Sequence, residues 1–325
     1  MSELNNDPSR ENRMTVLLRD YPLLPLLVLL LGLVGVLELV RPGIVSAFWL
    51  GNLIKFAIPL AMLAACQTLT MLTGGIDLSA GIVATLSAFV VASLTPEYGA
   101  AGAIAIAMLA AMAIGLMNGF GTGVAGVHPL IMTLGTGLIA TGALQVYQRT
   151  VIASGSEIPA FLVWMGTGRS FGLPNGLALF LPFAATILLG LRYTGFGRLL
   201  FAMGANEHAA RLAGVRGWQV HLALYALSAV IASFAGMLYL GMIRTASLSL
   251  VLPLLLPSVA AAVIGGTSIF GGRGSYAGTI LGALILQVLG TLLTLLDMDE
   301  GARRVLFGLI ILLVTTFYMR ITDKT

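Results

Sequence analysis

Leu72-Thr73-Gly74-Gly75-Ile76-Asp77-Leu78-Ser79-Ala80-Gly81 lies between two long apolar runs, 56–76 and 78–96, and Asp77 is the only charged residue between Lys55 and Glu97. A carboxylate in hydrocarbon costs at least about 2.5 kcal/mol. It needs compensation from a partner, from water or from exposed backbone N–H groups. Gly74, Gly75 and Gly81, with Thr73 and Ser79, weaken regular helix and leave main-chain groups free to meet polar atoms. The stretch reads as a helix break or tight helix–helix turn lined by polar groups. It is the first sign of a polar passage.

Composition sets the class. The chain of 325 residues is 58% hydrophobic, only 9% charged, and has a mean hydropathy of +1.00. Soluble domains carry about 25% charged residues, so this is an integral membrane protein. Forty glycines against fourteen phenylalanines suit close helix packing in lipid. The net charge of +4 is small and its basic residues sit at the ends of apolar runs, which argues for membrane topology and against nucleic-acid binding. Cys66 is the single cysteine, so there is neither an intrachain disulfide nor a cysteine metal site. No His, Cys or carboxylate grouping has metal spacing, and His128 and His221 fall at span ends.

Outward from the opening stretch, the apolar runs predict an all-α polytopic fold of about ten membrane helices with glycine-rich discontinuities. The expected spans are 21–40, 56–73, 79–95, 100–118, 129–147, 175–191, 220–240, 253–264, 276–295 and 305–319, of which 253–264 is too short to cross as one helix. Segment 44–55 reads as too interrupted to cross, span three closes at Thr95-Pro96, and 148–174 reads as a long outer loop. Trp49 and Trp164 fall near the expected interfaces, where such rings sit.

Residues 1–20 form a polar N-terminal segment whose Arg10, Arg13 and Arg19 precede an uncleaved first span. They place the N-terminus in the cytoplasm. Counting spans from there puts the most basic connection, 192–219 with Arg192, Arg198, Arg211 and Arg216, in the cytoplasm as well, and returns the tail 321–325 to the same side. Residues 21–320 make one transmembrane domain. A faint internal duplication pairs Leu72-Thr73-Gly74-Gly75 with Val263-Ile264-Gly265-Gly266. Paired glycine-interrupted segments point to a transporter's pathway.

Within the basic connection, Gly204-Ala205-Asn206-Glu207-His208-Ala209-Ala210-Arg211-Leu212-Ala213-Gly214 has a good N-cap in Asn206, an acid at the positive helix end in Glu207 and a stop in Gly214. It predicts a helix of about two turns that docks on something, since so short a helix is marginal alone. An ordinary surface helix lying on the membrane fits the same residues.

Segment 197–215 resembles the cytoplasmic coupling segment of ABC importer permeases of the ribose/xylose/galactose type. The stretch 72–81, the glycine-rich 264–274 and the block Pro129-Leu130-Ile131-Met132-Thr133-Leu134-Gly135-Thr136 resemble three further blocks of that family, in its order. The resemblance implies a permease of a bacterial inner membrane that takes up a monosaccharide, a pentose or hexose. Its implied partners are a second permease copy, two ATP-hydrolysing subunits, a periplasmic sugar-binding protein and membrane lipid. It implies that Gly204, Asn206, Glu207, His208, Ala209, Ala210, Arg211, Leu212 and Gly214 seat in the ATPase. No Gly-x-x-x-x-Gly-Lys-Ser/Thr loop is present, the only lysines being Lys55 and Lys324. ATP and Mg therefore belong to a partner, no cofactor is expected in this chain, and the chain is a transport subunit without catalytic residues.

Candidate pathway residues are Gln67, Thr70, Thr73, Gly74, Gly75, Asp77, Ser79, Asn118, Thr133, Gly265, Gly266 and Thr267, since neutral donors and acceptors suit a sugar. Each polar group singly serves equally as a helix–helix hydrogen bond, and Asp77 as a cap of nearby helix starts. Isolated Arg273 either snorkels to the interface or pairs with Asp77. The rival reading is an ion-coupled secondary sugar transporter with Asp77 as the coupling carboxylate.

Overall fold

The computed structural model describes residues 23–151 and 156–299, together with 301–302, 305–306 and 308–309. Segment 1–20 and tail 321–325 lie outside these residues, as does most of the expected span 305–319.

The first apolar run forms α1, Leu24–Val40. It is followed by α2, Ala47–Leu72, which begins well before the expected Phe56. Segment 44–55 is therefore helical from Ala47 onward. Ser46 caps the start, its Oγ accepting from the Trp49 N–H at 3.2 Å. Gly51, Asn52 and Lys55 lower the hydropathy without breaking the helix. Gly51 lies against the Arg169 guanidinium and Asn52 accepts a bond from it.

Residues Ala80–Gly123 form α3, 44 residues with one non-helical position, Gly99 at φ 67° and ψ 170°. A straight helix of that length would run roughly 66 Å. Yet Asn118 Nδ2 donates to Ser79 Oγ at 2.9 Å across 39 residues of chain. The helix therefore doubles back at Gly99, and limbs 80–98 and 100–123 lie side by side. The reversal comes three residues beyond the expected Thr95-Pro96, because Pro96 is tolerated inside the first limb. Gly99 holds a backbone region that is essentially glycine-only, and nothing lies within 4 Å of where its Cβ would be. Gly99→Ala is thus a purely conformational change. It is expected to destabilise by about 1–3 kcal/mol, read as a lowered melting temperature in detergent.

α4 is Pro129–Val151. The expected outer loop is not structureless. It holds α5, Ala160–Thr167, and a two-stranded hairpin, β1 Arg169–Ser170 with β2 Leu173–Pro174. Eight residues were too few to show as periodicity, and the apolar run Phe161 to Met165 reads equally as a strand.

α6, Leu177–Tyr193, is followed after a 65° bend by α7, Gly195–Ala205. Then come α8, Glu207–Leu212, and α9, Gly217–Ile243. A 3₁₀ turn, Leu252–Leu254, leads into α10, Leu255–Ile264, and the last long described helix is α11, Tyr276–Leu295. At ten residues α10 rises only about 15 Å, half a hydrocarbon thickness.

Among the described residues five helices, α2, α3, α4, α9 and α11, are long and apolar enough to cross a membrane, or six if α6 and α7 are one bent span. α9 lies along both limbs of α3 and along α2 at the centre, where Tyr225 and Leu224 are fully buried. Small residues allow this contact. A Cβ on Gly115 or Gly236 would strike the facing main chain at Tyr225 or Ala84.

Candidate functional site

α2 ends where the glycines begin. The Gly74 N–H donates to Met71 O at 2.8 Å and the Gly75 N–H to Thr70 O at 3.0 Å, with Gly74 at φ 78°. This is a Schellman stop, the left-handed residue supplied by glycine. Thr73 Oγ1 adds a bond to Thr70 O at 2.9 Å. Thr70 bonds within its own helix, to Cys66 O at 2.9 Å.

Beyond the stop, the chain between α2 and α3 is held by side chains. Gln67 clamps Asp77 twice, Nε2 donating to Asp77 O at 2.9 Å and Oε1 accepting the Asp77 N–H at 3.2 Å. Thr133 of α4 donates to Ile76 O at 3.1 Å and accepts the Leu78 N–H at 3.1 Å.

The Asp77 carboxyl, 2% exposed, accepts three bonds. Oδ1 takes the Ser79 N–H at 3.0 Å and the Ser79 hydroxyl at 2.6 Å, and Oδ2 takes the Ser228 hydroxyl of α9 at 2.7 Å. The chain of bonds continues from Ser79 through Asn118 to Thr136, whose Oγ1 donates to Asn118 Oδ1 at 2.6 Å. One buried polar network thus joins α2, both ends of α3, α4 and α9. Of the expected residues it brings together Gln67, Asp77, Ser79, Asn118 and Thr133. Ser228, on α9, is the partner no linear pattern exposed.

Asp77 accepts the N–H of Ser79, the residue that precedes α3. Arg273 does not pair with it. Among the described residues the ion pair is Glu207 with Arg211. Tyr225, stacked on His221 with 6.3 Å between rings, lies against Gly75, and neither its buried hydroxyl nor His221 Nδ1 has a hydrogen-bond partner among the described residues.

The second glycine stretch repeats the first turn. The Gly266 N–H donates to Val263 O at 3.0 Å and the Thr267 N–H to Ala262 O at 2.9 Å, with Gly266 at φ 85°. The equivalent residues are therefore Gly74 and Gly266, a register one residue away from the sequence pairing. Gly265 has another role, lying flat on Gly278 and Thr279 of α11, where a Cβ would collide with main chain. Thr267 is buried against Gly274 and its hydroxyl has no hydrogen-bond partner among the described residues.

The two glycine stretches meet each other and the end of α7. The Gly272 N–H donates to Leu72 O at 3.0 Å. A Cβ on Gly204 would fall on Leu72 O and the Gly272 nitrogen, and one on Gly271 would lie 3.1 Å from the Gly74 nitrogen. Gly204 thus seats the base of the basic connection on the stop that ends α2 and on the second glycine stretch, six residues past its own stop at Gly266.

Two residues on, α8 forms as the sequence predicts. Asn206 Oδ1 accepts the Ala209 N–H at 2.9 Å, and Gly214 at φ 88° closes the helix with the Val215 N–H on Ala210 O at 3.1 Å. Glu207 and Arg211 pair at 2.6 Å across one turn. Only Ala210 of α8 is buried, and His208, Ala209 and Leu212 face out. Exposed Leu212 beside a charged pair makes α8 a projecting helix whose outer side is uncovered among the described residues.

In this apolar helical body two glycine stretches thus meet at the base of a projecting helix whose charges pair with each other. The family described as "Branched-chain amino acid transport system / permease component" matches residues 49–315, and the chain belongs to it. It is similar to the ribose import permease protein RbsC of Escherichia coli (strain K12), 32% identical over 291 residues covering 88% of this chain and 90% of that protein. The fructose import permease protein FrcC of Rhizobium meliloti is 31% identical over 299 residues, 89% of this chain and 82% of that one. The probable ABC transporter permease protein YphD of Escherichia coli (strain K12) is 30% identical over 303 residues, 92% and 90%. No solved structure matches the chain.

Proposed function

We propose that this chain is the permease of an ATP-driven importer for a monosaccharide, a pentose or hexose, in a bacterial inner membrane. The observation that carries this reading is the similarity to a ribose import permease over 88% of the chain. The projecting helix α8 supports it. This reading takes ten spans with both termini cytoplasmic, counting the α3 hairpin as two crossings, α6 with α7 as one, the half-length α10 as a broken span and the expected 305–319 as the last. Residues 21–320 then form one membrane domain and 192–219 its cytoplasmic coupling segment.

α8, from Asn206 to Gly214, docks into an ATP-binding subunit that holds ATP and Mg, and two such subunits serve a pair of permeases. A soluble periplasmic protein delivers sugar to the opposite face. Closure of the ATPases moves α8. Through Gly204 the movement reaches Leu72 and Gly272, hence the end of α2, the segment 73–79 that follows it and the second glycine stretch. The wall of the path that rearranges comprises Gln67, Thr70, Thr73, Gly74, Gly75, Asp77, Ser79, Asn118, Thr133, Gly265, Gly266 and Thr267. Alternating access follows from two arrangements of this segment.

The test exchanges the charges on α8. Glu207→Arg with Arg211→Glu keeps an opposite-charge pair one turn apart, and an exposed pair is worth only about 0.3–0.5 kcal/mol. The fold is therefore expected to persist, while co-purification of an ATP-binding subunit from native membranes falls about tenfold or more. Undiminished co-purification would overturn the docking assignment. A permease that purifies alone and moves sugar under an ion gradient would establish the secondary-transport reading instead.

A further inference from the structure

The end of the molecule remote from α8 carries a surface that neither helix packing nor the Asp77 network uses. α9 is 27 residues long, about 40 Å. α8 precedes its first turn, and α5 packs on its last. A Cβ on Gly166 or Gly241 would strike the main chain of the other helix.

Three cations converge there. Arg244 donates to Thr167 Oγ1 at 3.0 Å. Arg169, two residues past Thr167, donates to Asn52 Oδ1 at 2.7 Å and lies over the Phe48 ring at 4.5 Å. Lys55 is on the same face of α2 as Asn52, three residues on. Among the described residues none of the three forms an ion pair with a carboxylate. Basic residues ordinarily concentrate on the cytoplasmic side, where α8 is placed, so three cations at the opposite end run against that bias.

The backbone is strained at the same place. The β1–β2 hairpin turns on Phe171 at φ 54° and Gly172 at φ 79°. Positive φ at both central positions marks a type I′ turn, whose first position favours Asn, Asp or Gly. Here it holds a phenylalanine whose ring is fully exposed. Phe171 and Arg244 are two of the three non-glycine residues with positive φ among the described residues. Such strain clusters where a site uses it. Exposed Phe48, Trp164 and Leu173 complete the patch, and aromatic and arginine side chains are the anchors that dominate protein interfaces.

We propose that this face docks an acidic soluble protein, the sugar-loaded binding protein of the importer, with Phe171 entering an apolar pocket and Arg169, Arg244 and Lys55 meeting carboxylates. The inference rests on the importer reading. It is tested with the permease and its ATPase reconstituted in nanodiscs and a sugar-binding protein purified from the native periplasm. The readout is the binding-protein concentration giving half-maximal sugar-dependent ATP hydrolysis.

For the wild type that concentration rises with salt, because exposed charges are screened. Phe171→Asn puts a turn-favoured residue at the strained position and removes the anchor. It is expected to raise the half-saturating concentration about tenfold while melting no lower than wild type. Arg244→Glu is expected to raise it as far and to flatten the salt dependence. A stimulated wild type with both variants at the same half-saturation overturns the surface. A Phe171→Asn protein that melts lower with unchanged half-saturation makes the hairpin a lipid anchor, which also overturns it. A wild type that no sugar-loaded binding protein stimulates overturns the importer reading, and this surface with it.

Discussion

Gly204→Ala is expected to be among the most damaging single substitutions in the chain, although it adds one methyl group. The new Cβ has no free volume, since it falls on Leu72 O and the Gly272 nitrogen. Both are main-chain atoms, and they bond to each other at 3.0 Å. No side chain can rotate away, so either α7 withdraws or that bond breaks. Overpacking of this kind costs about 1–3 kcal/mol, occasionally more, and a broken buried backbone bond adds about 1–3 kcal/mol. Gly190→Ala supplies the control, in a helix at a position with nothing within 4 Å. There alanine gains up to about 1 kcal/mol of helix propensity. Melting temperatures of the two variants in detergent should therefore move in opposite directions. A Gly204→Ala protein as stable as wild type would show that α7 is not seated on Leu72 and Gly272. If Gly204→Ala assembles with the ATPase, its hydrolysis is expected to continue without sugar uptake, since α8 would no longer pull on the end of α2 and the second glycine stretch together.

How much of this was legible in the sequence depends on the range over which each feature is written. The break at Leu72–Gly81 and the helix Glu207–Leu212 were legible, because caps and stops are local chemistry. Asn206 and Gly214 announce their roles within three or four residues. Gly99 was passed over in favour of Pro96, since a proline is the louder local signal and membrane helices tolerate it. The short α5 was lost because eight residues carry too little periodicity. The meeting of Gly204 with Leu72 and Gly272 had no linear signature at all. Two glycines in separate stretches look like the thirty-eight others, and only the fold shows which of them touch backbone. Ser228 and the convergence of Lys55, Arg169 and Arg244 are of the same kind. Each residue is unremarkable alone and acquires meaning from neighbours more than seventy positions away.

Asp77 separates the two transport mechanisms, and its substitutions should diverge. Asp77→Ala leaves the Ser79 N–H and the hydroxyls of Ser79 and Ser228 without the acceptor they share, in a site where Asp77 is 2% exposed. An orphaned buried donor costs about 1–3 kcal/mol. The hydroxyls can turn to other acceptors but the Ser79 N–H cannot, so a net loss of about 3 kcal/mol and failure to assemble are expected. Asp77→Asn is different. Its carbonyl oxygen still accepts from Ser79, and its amide can donate to Ser228 Oγ, which accepts as readily as it donates. In the ATP-driven reading the carboxyl is a brace between α3 and α9, so the Asn protein is expected to fold with a modest loss and to retain a substantial part of ATP-dependent uptake. In the ion-coupled reading the same variant loses uptake completely, because the group that must carry charge is gone. The two readings make opposite demands on one amide. Uptake assayed in proteoliposomes, with ATP and with an ion gradient in turn, decides between them provided the Asn protein melts close to wild type. Loss of uptake by a well-folded Asp77→Asn protein would make the carboxyl the ion-carrying group of the transport cycle and not a brace in the frame of the molecule.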